Sequence, residues 1–137
     1  MTIRDAIGWM GFGHHPRDTA LATVDAFNRR DWKRMSELLA EDFYYVDGEA
    51  NRIDTPGRFV ASLRGLLGDA PDLRLDVDSL EDAGHMVFMR GRTTSHDFRF
   101  RTRSMWRAWV RGERMASLEN FRVVNSIRLA KYAREAA

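Results

Sequence analysis

Apolar residues recur at helical spacing in the first half of the chain. One stripe predicts a helix that begins at an Asp18 cap, ends near Arg30 and buries Leu21, Val24 and Phe27. Weaker patterns predict a short helix over 2–10 and a terminal helix over 126–136 that Asn125 caps.

Two further helices have clear start signals. Asp31 caps a predicted helix over 32–40. Thr55 followed by Pro56 is a cap with proline at the first helical position, and it predicts a helix that stops at Gly68.

The hydrophobic period changes from helix to strand after this point. The earlier segment 43–47 is rich in aromatic residues and predicts a first strand. The later part of the chain predicts four more strands, over 73–77, 85–95, 98–111 and 114–124. Helices on one face of an antiparallel sheet define an α+β fold. Such a sheet is strongly curved and can wrap around the N-terminal helices to leave a cone-shaped pocket.

Composition fits one globular domain. The chain has 137 residues, of which 44% are hydrophobic and 31% charged. It lacks cysteine, which excludes disulfides and thiolate metal sites. No apolar run reaches the roughly 20 residues of a membrane span, and the first residues do not resemble a signal peptide. We therefore expect a cytoplasmic protein without a membrane partner.

Charge changes this picture little. The chain has 22 basic and 20 acidic residues, a net charge of +2. The arginines that crowd the second half alternate with apolar residues, which is typical of the solvated face of a sheet. A nucleic-acid surface is the alternative. No nucleic-acid motif accompanies the arginines, so we expect no such partner.

Three segments together resemble a known superfamily. Residues 26–32 read Ala-Phe-Asn-Arg-Arg-Asp-Trp, residues 38–43 read Leu-Leu-Ala-Glu-Asp-Phe, and residues 109–118 form a predicted hairpin. In this order they resemble nuclear transport factor 2-like domains, which include SnoaL-like and ketosteroid isomerase-like proteins. The resemblance covers about residues 18–124.

The resemblance implies a single domain over 1–137 with a pocket for a small hydrophobic molecule. Residues 1–17 form an N-terminal extension and 125–137 a C-terminal helix outside the core. It also implies a homodimer. Large apolar residues on both faces of 85–111, which a monomer would leave partly exposed, favour the same conclusion.

Asp47 is the candidate general base. By resemblance it falls where a ketosteroid isomerase places its catalytic aspartate, and alternation puts it on the same strand face as Phe43 and Tyr45. The structural alternative is that Asp47 and Gly48 form an ordinary turn pair.

The donors that the isomerase needs for its enolate are missing. By resemblance they would stand at Thr23 and Met105, and neither side chain can do that work. We therefore do not expect a steroid isomerase of the usual mechanism.

A second candidate set contains Asp25, Tyr44, Tyr45, His85 and His96. Scytalone dehydratase, of the same superfamily, uses a similar set of two histidines, an aspartate and tyrosines around one water. The positions do not match that enzyme residue by residue. The two histidines are predicted in a turn and a loop, where a solvated structural role is the alternative.

A further histidine pair, His14 and His15, lacks helical ligand spacing and a carboxylate motif. We expect no metal and no cofactor.

The remaining candidates are residues predicted to line the pocket: Phe43, Phe59, Leu63, Met89, Trp106, Trp109 and Asn120. Core or dimer packing is the alternative for the large apolar ones. Glu119 and Asn120 have opposite strand parity, so only one of them can face inward.

The functional hypothesis follows from these candidates. We expect a small, mostly apolar ligand and cofactor-independent proton transfer, as in an isomerase, dehydratase or cyclase. Asp47 would be the base, with Tyr45, Asp25 or Asn120 positioning the substrate or a water. The alternative, which the missing isomerase donors favour, is a non-catalytic ligand-binding or dimerisation domain.

Overall fold

The computed structural model describes residues 15–124 and 127–136. The helix predicted over 2–10, the cap at Asn125 and His14 lie outside these residues. The described part contains four α-helices: α1 (Pro16–Arg29), α2 (Trp32–Leu38), α3 (Pro56–Asp69) and α4 (Leu129–Ala136). It also contains six strands: β1 (Leu39–Val46), β2 (Arg52–Asp54), β3 (Arg74–Ala83), β4 (Met86–Thr94), β5 (Thr102–Arg111) and β6 (Arg114–Val124).

Helix α1 begins before the predicted cap. His15 is the N-cap and makes no side-chain cap hydrogen bond, and Pro16 occupies the first turn. Proline suits this place because its missing N–H would have no partner there in any case. Asp18 therefore stands in the first turn, where its negative charge interacts favourably with the helix dipole. The prediction that Asp18 is the cap was wrong.

The cap of α2 is confirmed. The Asp31 carboxylate accepts a hydrogen bond from the Arg34 backbone N–H at 3.0 Å. The helix ends at Leu38, two residues earlier than predicted, because Leu39 is already extended and begins β1.

The start of α3 is also confirmed. The Thr55 hydroxyl accepts from the Arg58 backbone N–H at 3.2 Å, and Pro56 is the first helical residue. The helix continues one residue past Gly68 and ends at Asp69.

The six strands form one sheet in the order β2-β1-β6-β5-β4-β3. The α+β fold is confirmed, with one refinement to the predicted antiparallel sheet: β1 pairs with β6 in parallel. Strand β2 lies between the predicted strand over 43–47 and the helix that begins at Pro56, where the sequence predicted no strand. A short 3-10 helix, Phe98–Phe100, precedes β5, which therefore starts later than predicted.

Irregular pairings accompany the bending of the sheet around the helices. The register shifts between Val77 and Ser79 where β3 pairs with β4, and again at two places where β5 pairs with β6. Bulges of this kind increase local twist. Near the first shift Gly91 has no room for a side chain, because a Cβ there would overlap the Asp76 carbonyl oxygen.

The inner face of the sheet packs against the helices. The fully buried core includes residues from helix and sheet alike: Met35, Leu39, Phe43, Ile53, Leu73, Val87, Met89, Val110 and Met115. Helix α4 packs on α3, and the Tyr132 hydroxyl donates to the Asp69 carboxylate at 2.8 Å. None of the described helices has the length and apolarity that a membrane crossing requires.

Candidate functional site

A cavity of about 110 Å³ lies between the inner face of the sheet and the helices. Most of its lining is apolar and comes from every layer of the fold: Ala20, Val24, Phe27, Met35, Phe59, Leu63, Leu66, Leu73, Leu75, Met89, Trp106, Met115, Leu118, Ile127 and Leu129. Its polar lining consists of Thr23, Tyr45, Thr93, Thr102, Ser104 and Asn120.

Three of these polar side chains lie on adjacent strands and form one patch. Tyr45 is on β1, Asn120 on β6 and Ser104 on β5, and these strands are neighbours in the sheet. Asn120 lies directly opposite Trp106, which is two residues after Ser104 on β5. Tyr45 lies directly opposite Leu118, which is two residues before Asn120 on β6. Residues related in this way across strands are close enough to contact one ligand. We call Tyr45, Ser104 and Asn120 the polar patch.

The polar patch is buried and unpaired. Tyr45, Ser104 and Asn120 are 6%, 6% and 8% exposed, respectively. Within the part of the chain that the structure describes, their hydroxyl and amide groups make no side-chain hydrogen bond. Buried polar groups are rarely left without partners, so these three have hydrogen-bonding capacity available to a ligand or water.

The other polar lining residues are already satisfied. The Thr23 hydroxyl donates to the Thr19 carbonyl at 2.9 Å. The hydroxyls of Thr93 and Thr102 share a hydrogen bond of 2.7 Å, and Thr93 also donates to the Phe100 carbonyl. These threonines therefore fix the cavity wall and leave the polar patch as the place where a ligand can form hydrogen bonds.

The cavity lining is uncharged. Among the described residues that line it, none is an aspartate, glutamate, histidine, lysine or arginine. The pKa of Tyr45 is raised well above its ordinary value, chiefly by burial and also by the negative charge of Asp47. A tyrosine hydroxyl is protonated near neutral pH even at its ordinary pKa, so the Tyr45 hydroxyl can donate a hydrogen bond.

Asp47 is buried but turned toward its own loop. Its side chain is 2% exposed and lies just past the end of β1. One carboxylate oxygen accepts from the backbone N–H groups of Glu49 and Asn51, both at 2.9 Å, and the other accepts from the Asn51 amide at 3.4 Å. The carboxylate closes the loop as an Asx turn does, and Asp47 is not among the residues that line the cavity.

Two predicted site residues lie away from the cavity. Asp25 is exposed on α1 and pairs with Arg29 at 3.1 Å, four residues along the same helix. Trp109 is 43% exposed on the outer face of the sheet, with its ring 5.9 Å from that of His85. Trp109 and Trp106 are separated by three strand positions, so alternation sends them to opposite faces.

The other predicted site residues lie in or behind the cavity wall. Tyr45, Phe59, Leu63, Met89, Trp106 and Asn120 line the cavity. Phe43 is buried behind the lining, with its ring 4.9 Å from that of Phe59.

Sequence reasoning left out Ser104 and left the choice between Glu119 and Asn120 open. Ser104 could have been found, because it is two residues from Trp106 and shares its strand face. Glu119 faces outward and pairs with Arg107 at 2.7 Å, so Asn120 is the inward residue.

Of the remaining sequence candidates, His85 and His96 are exposed and Tyr44 is half-buried. His96 is fully exposed, with its ring nitrogen 3.8 Å from the Asp72 carboxylate. Many arginines are paired with carboxylates, including Arg74 with Asp76 and Arg99 with Asp97. These pairs favour a solvated face over a continuous basic surface for nucleic acid.

The family of the chain is clear from its similarity to known domains. The model of the SnoaL-like domain matches residues 20–118, and the chain belongs to this family. The fold, with its helices and curved sheet around a cavity, is that of the wider nuclear transport factor 2-like superfamily. No curated protein matches the chain.

Solved structures show the same fold. Wild-type IdmH, a putative polyketide cyclase from Streptomyces antibioticus, is 19% identical with a TM-score of 0.72, covering 90% of this chain and 100% of that one. An uncharacterised cystatin fold protein from Novosphingobium aromaticivorans is 16% identical with a TM-score of 0.71, covering 80% and 100%. A putative ketosteroid isomerase from Kribbella flavida is 25% identical with a TM-score of 0.66, covering 77% and 76%.

Proposed function

We propose that the chain binds a small, mostly apolar organic molecule inside the sheet-and-helix cavity. The observation that carries this proposal is an apolar cavity with three buried, unpaired polar side chains on one wall. An apolar cavity with a few convergent polar groups is the usual form of a ligand site. The names of the structural relatives, a putative polyketide cyclase and a putative ketosteroid isomerase, agree with a ligand of this chemistry.

Filling the cavity tests the proposal. Ala20 is fully buried on α1 and lines the cavity, so Ala20→Leu places additional carbon atoms in the space that a ligand would occupy. Ala22→Leu is the matched control, because Ala22 is on the same helix but does not belong to the lining. Binding of small aromatic probes, measured by calorimetry, should be lost in Ala20→Leu and kept in Ala22→Leu. Equal binding by both variants would contradict the proposal.

A second candidate function is proton transfer on that ligand, with Asp47 as the base. It is supported by the position of Asp47, buried two residues beyond Tyr45 and close enough to raise the Tyr45 pKa. It requires the carboxylate to turn from the Glu49 and Asn51 N–H groups toward a ligand. The name of the 25% identical relative, a putative ketosteroid isomerase, supports a reaction of the isomerase type.

The two roles of Asp47 can be separated by one substitution. Asp47→Asn keeps a side-chain oxygen that can accept from the Glu49 and Asn51 N–H groups, but it removes the basic carboxylate. If Asp47 is the base, turnover of ketone or hydroxy-ketone substrates should fall by about 10²–10⁴-fold with the melting temperature little changed. Unchanged turnover would remove Asp47 from the mechanism and leave ligand binding in place.

We also propose a homodimer that uses the outer face of the sheet. This face exposes Trp109 and Phe121 and carries paired charges of both signs, such as Arg107 with Glu119 and Arg111 with Asp42. A surface that contains both signs of charge and large apolar side chains can be complementary to its own copy across a two-fold axis.

A further inference from the structure

We infer that the ligand is a neutral molecule about the size of one ring, with a carbonyl group that the polar patch holds. This inference rests on the proposed binding function and names the class of ligand. It follows from three properties of the cavity: its volume, the lack of charge in its described lining and the hydrogen-bonding groups on one wall.

The volume limits the size of the ligand. At about 110 Å³ the cavity is well below the ~300–1,000 Å³ of pockets for drug-sized ligands. It is somewhat smaller than the ~150 Å³ apolar cavity that takes up benzene. The expected ligand is therefore no larger than a single six-membered ring with a short substituent, and a fused four-ring molecule is too large.

The lining determines the charge of the ligand. A charged ligand would leave water for an apolar space without an opposite charge among the described lining residues. Tyr45 cannot supply a charge near neutral pH, because a tyrosine hydroxyl is neutral there even at its ordinary pKa and burial raises that pKa further. A carboxylate or ammonium ligand would therefore bind far more weakly than a neutral molecule of the same shape.

The polar patch favours a hydrogen-bond acceptor on the ligand. Tyr45 and Ser104 each offer a hydroxyl donor, and the Asn120 amide offers two N–H donors and one acceptor. A carbonyl oxygen accepts two hydrogen bonds and donates none, so it can use two of these donors at once. The ring would then lie against the apolar wall that includes Phe59, Leu63 and Met89.

Four probes of related shape test the three properties in the full chain. Acetophenone carries the ring and the carbonyl, and α-methylstyrene replaces the carbonyl oxygen with a CH₂ group. Benzoate adds a charge, and progesterone tests size. Binding is measured by calorimetry. The fluorescence of the cavity residue Trp106 is a second readout, and it is identified as the part of the signal that is absent from the variant Trp106→Phe.

Acetophenone should bind about fivefold or more tightly than α-methylstyrene, and neither benzoate nor progesterone should bind measurably. In Asn120→Leu and Tyr45→Phe the preference for acetophenone should shrink, while α-methylstyrene should bind as it does to the unchanged protein. Ser36→Ala, an exposed site on α2, is the control that should change nothing.

The outcomes separate this inference from the proposed function. Equal binding of acetophenone and α-methylstyrene would overturn the carbonyl assignment and leave the binding function intact. Measurable binding of benzoate would overturn the charge argument, and measurable binding of progesterone would overturn the size argument, again with the binding function intact. Failure of all four probes to bind would overturn both the inference and the proposed function.

Discussion

Asn28 forms two hydrogen bonds to the backbone of one residue, Leu75. Its amide donates to the Leu75 carbonyl at 2.8 Å, and its carbonyl oxygen accepts from the Leu75 N–H at 2.9 Å. Leu75 lies on β3, which is an edge strand of the sheet and contributes Leu75 to the cavity wall. The side chain of Asn28 therefore satisfies backbone groups of β3 that a neighbouring strand would otherwise pair with, and it connects α1 to this edge of the sheet.

Removing this pair of hydrogen bonds should destabilise the fold. Asn28→Ala leaves both backbone groups of Leu75 without their partner, at a cost of about 1–3 kcal/mol in the free energy of unfolding. Arg29→Ala is the matched control, because Arg29 makes an exposed ion pair with Asp25, which contributes about 0–1 kcal/mol. Urea unfolding measures both. If the two variants are equally stable, the Asn28 hydrogen bonds contribute nothing specific.

Gly91 should tolerate no side chain. A Cβ at this position would overlap the Asp76 carbonyl oxygen, which belongs to the neighbouring strand and cannot move without distorting the sheet. We expect Gly91→Ala to cost more than about 3 kcal/mol or to prevent folding. Gly68→Ala is the control: a Cβ there meets nothing within 4 Å and it lies in a helix, so stability should rise by up to about 1 kcal/mol. Similar thermal melting of both variants would contradict the steric argument.

Acid should weaken the connection between Asp72 and the segment after β4. The Asp72 carboxylate accepts from the Ser95 hydroxyl at 2.6 Å and from the His96 N–H at 2.7 Å. The Ser95 hydrogen bond, followed by that from His96, lowers the pKa of Asp72 below its ordinary value. Because the folded pKa is the lower one, the stabilisation is present above the unfolded value and is lost as the pH falls through the folded value.

The measurement is the melting temperature between about pH 5 and about pH 3. Both Asp72→Asn and Ser95→Ala should show a shallower fall than the unchanged protein, since the first removes the titrating group and the second removes the main cause of its shift. Parallel pH profiles for all three proteins would exclude Asp72 as a source of acid sensitivity.

The sequence predicted best where structure is decided locally. Helix starts at Asp31 and Thr55 depend on a side chain and a backbone N–H three residues later, and both were found. The start of α1 was misplaced because Asp18 and Pro16 are both residue types that are typical of a helix start. In the structure Pro16 is the first helical residue, and Asp18 lies inside the first turn.

Features that depend on distant pairing could not be predicted in the same way. The parallel pairing of β1 with β6 joins segments about 70 residues apart and has no local signal. Register shifts on β5 and β6 meant that alternation alone did not say whether Glu119 or Asn120 faces inward. The Asp47 carboxylate points toward the backbone N–H groups of its own loop. The Asp47-Gly48 turn pair indicated this role in the loop, whereas the family resemblance indicated a role in the pocket.

Substitution of Trp109 should separate the two copies of the proposed dimer. Trp109 is 43% exposed on the outer face, and Trp109→Glu would place a charge in the apolar part of the interface. Sedimentation velocity over a range of concentrations should show a dimer for the unchanged protein and a monomer for Trp109→Glu, with unchanged circular dichroism. Phe98→Glu is the control, because Phe98 is 75% exposed in the short 3-10 helix between β4 and β5 and should not affect assembly. A monomeric unchanged protein, or dissociation by Phe98→Glu but not by Trp109→Glu, would refute an interface on this face.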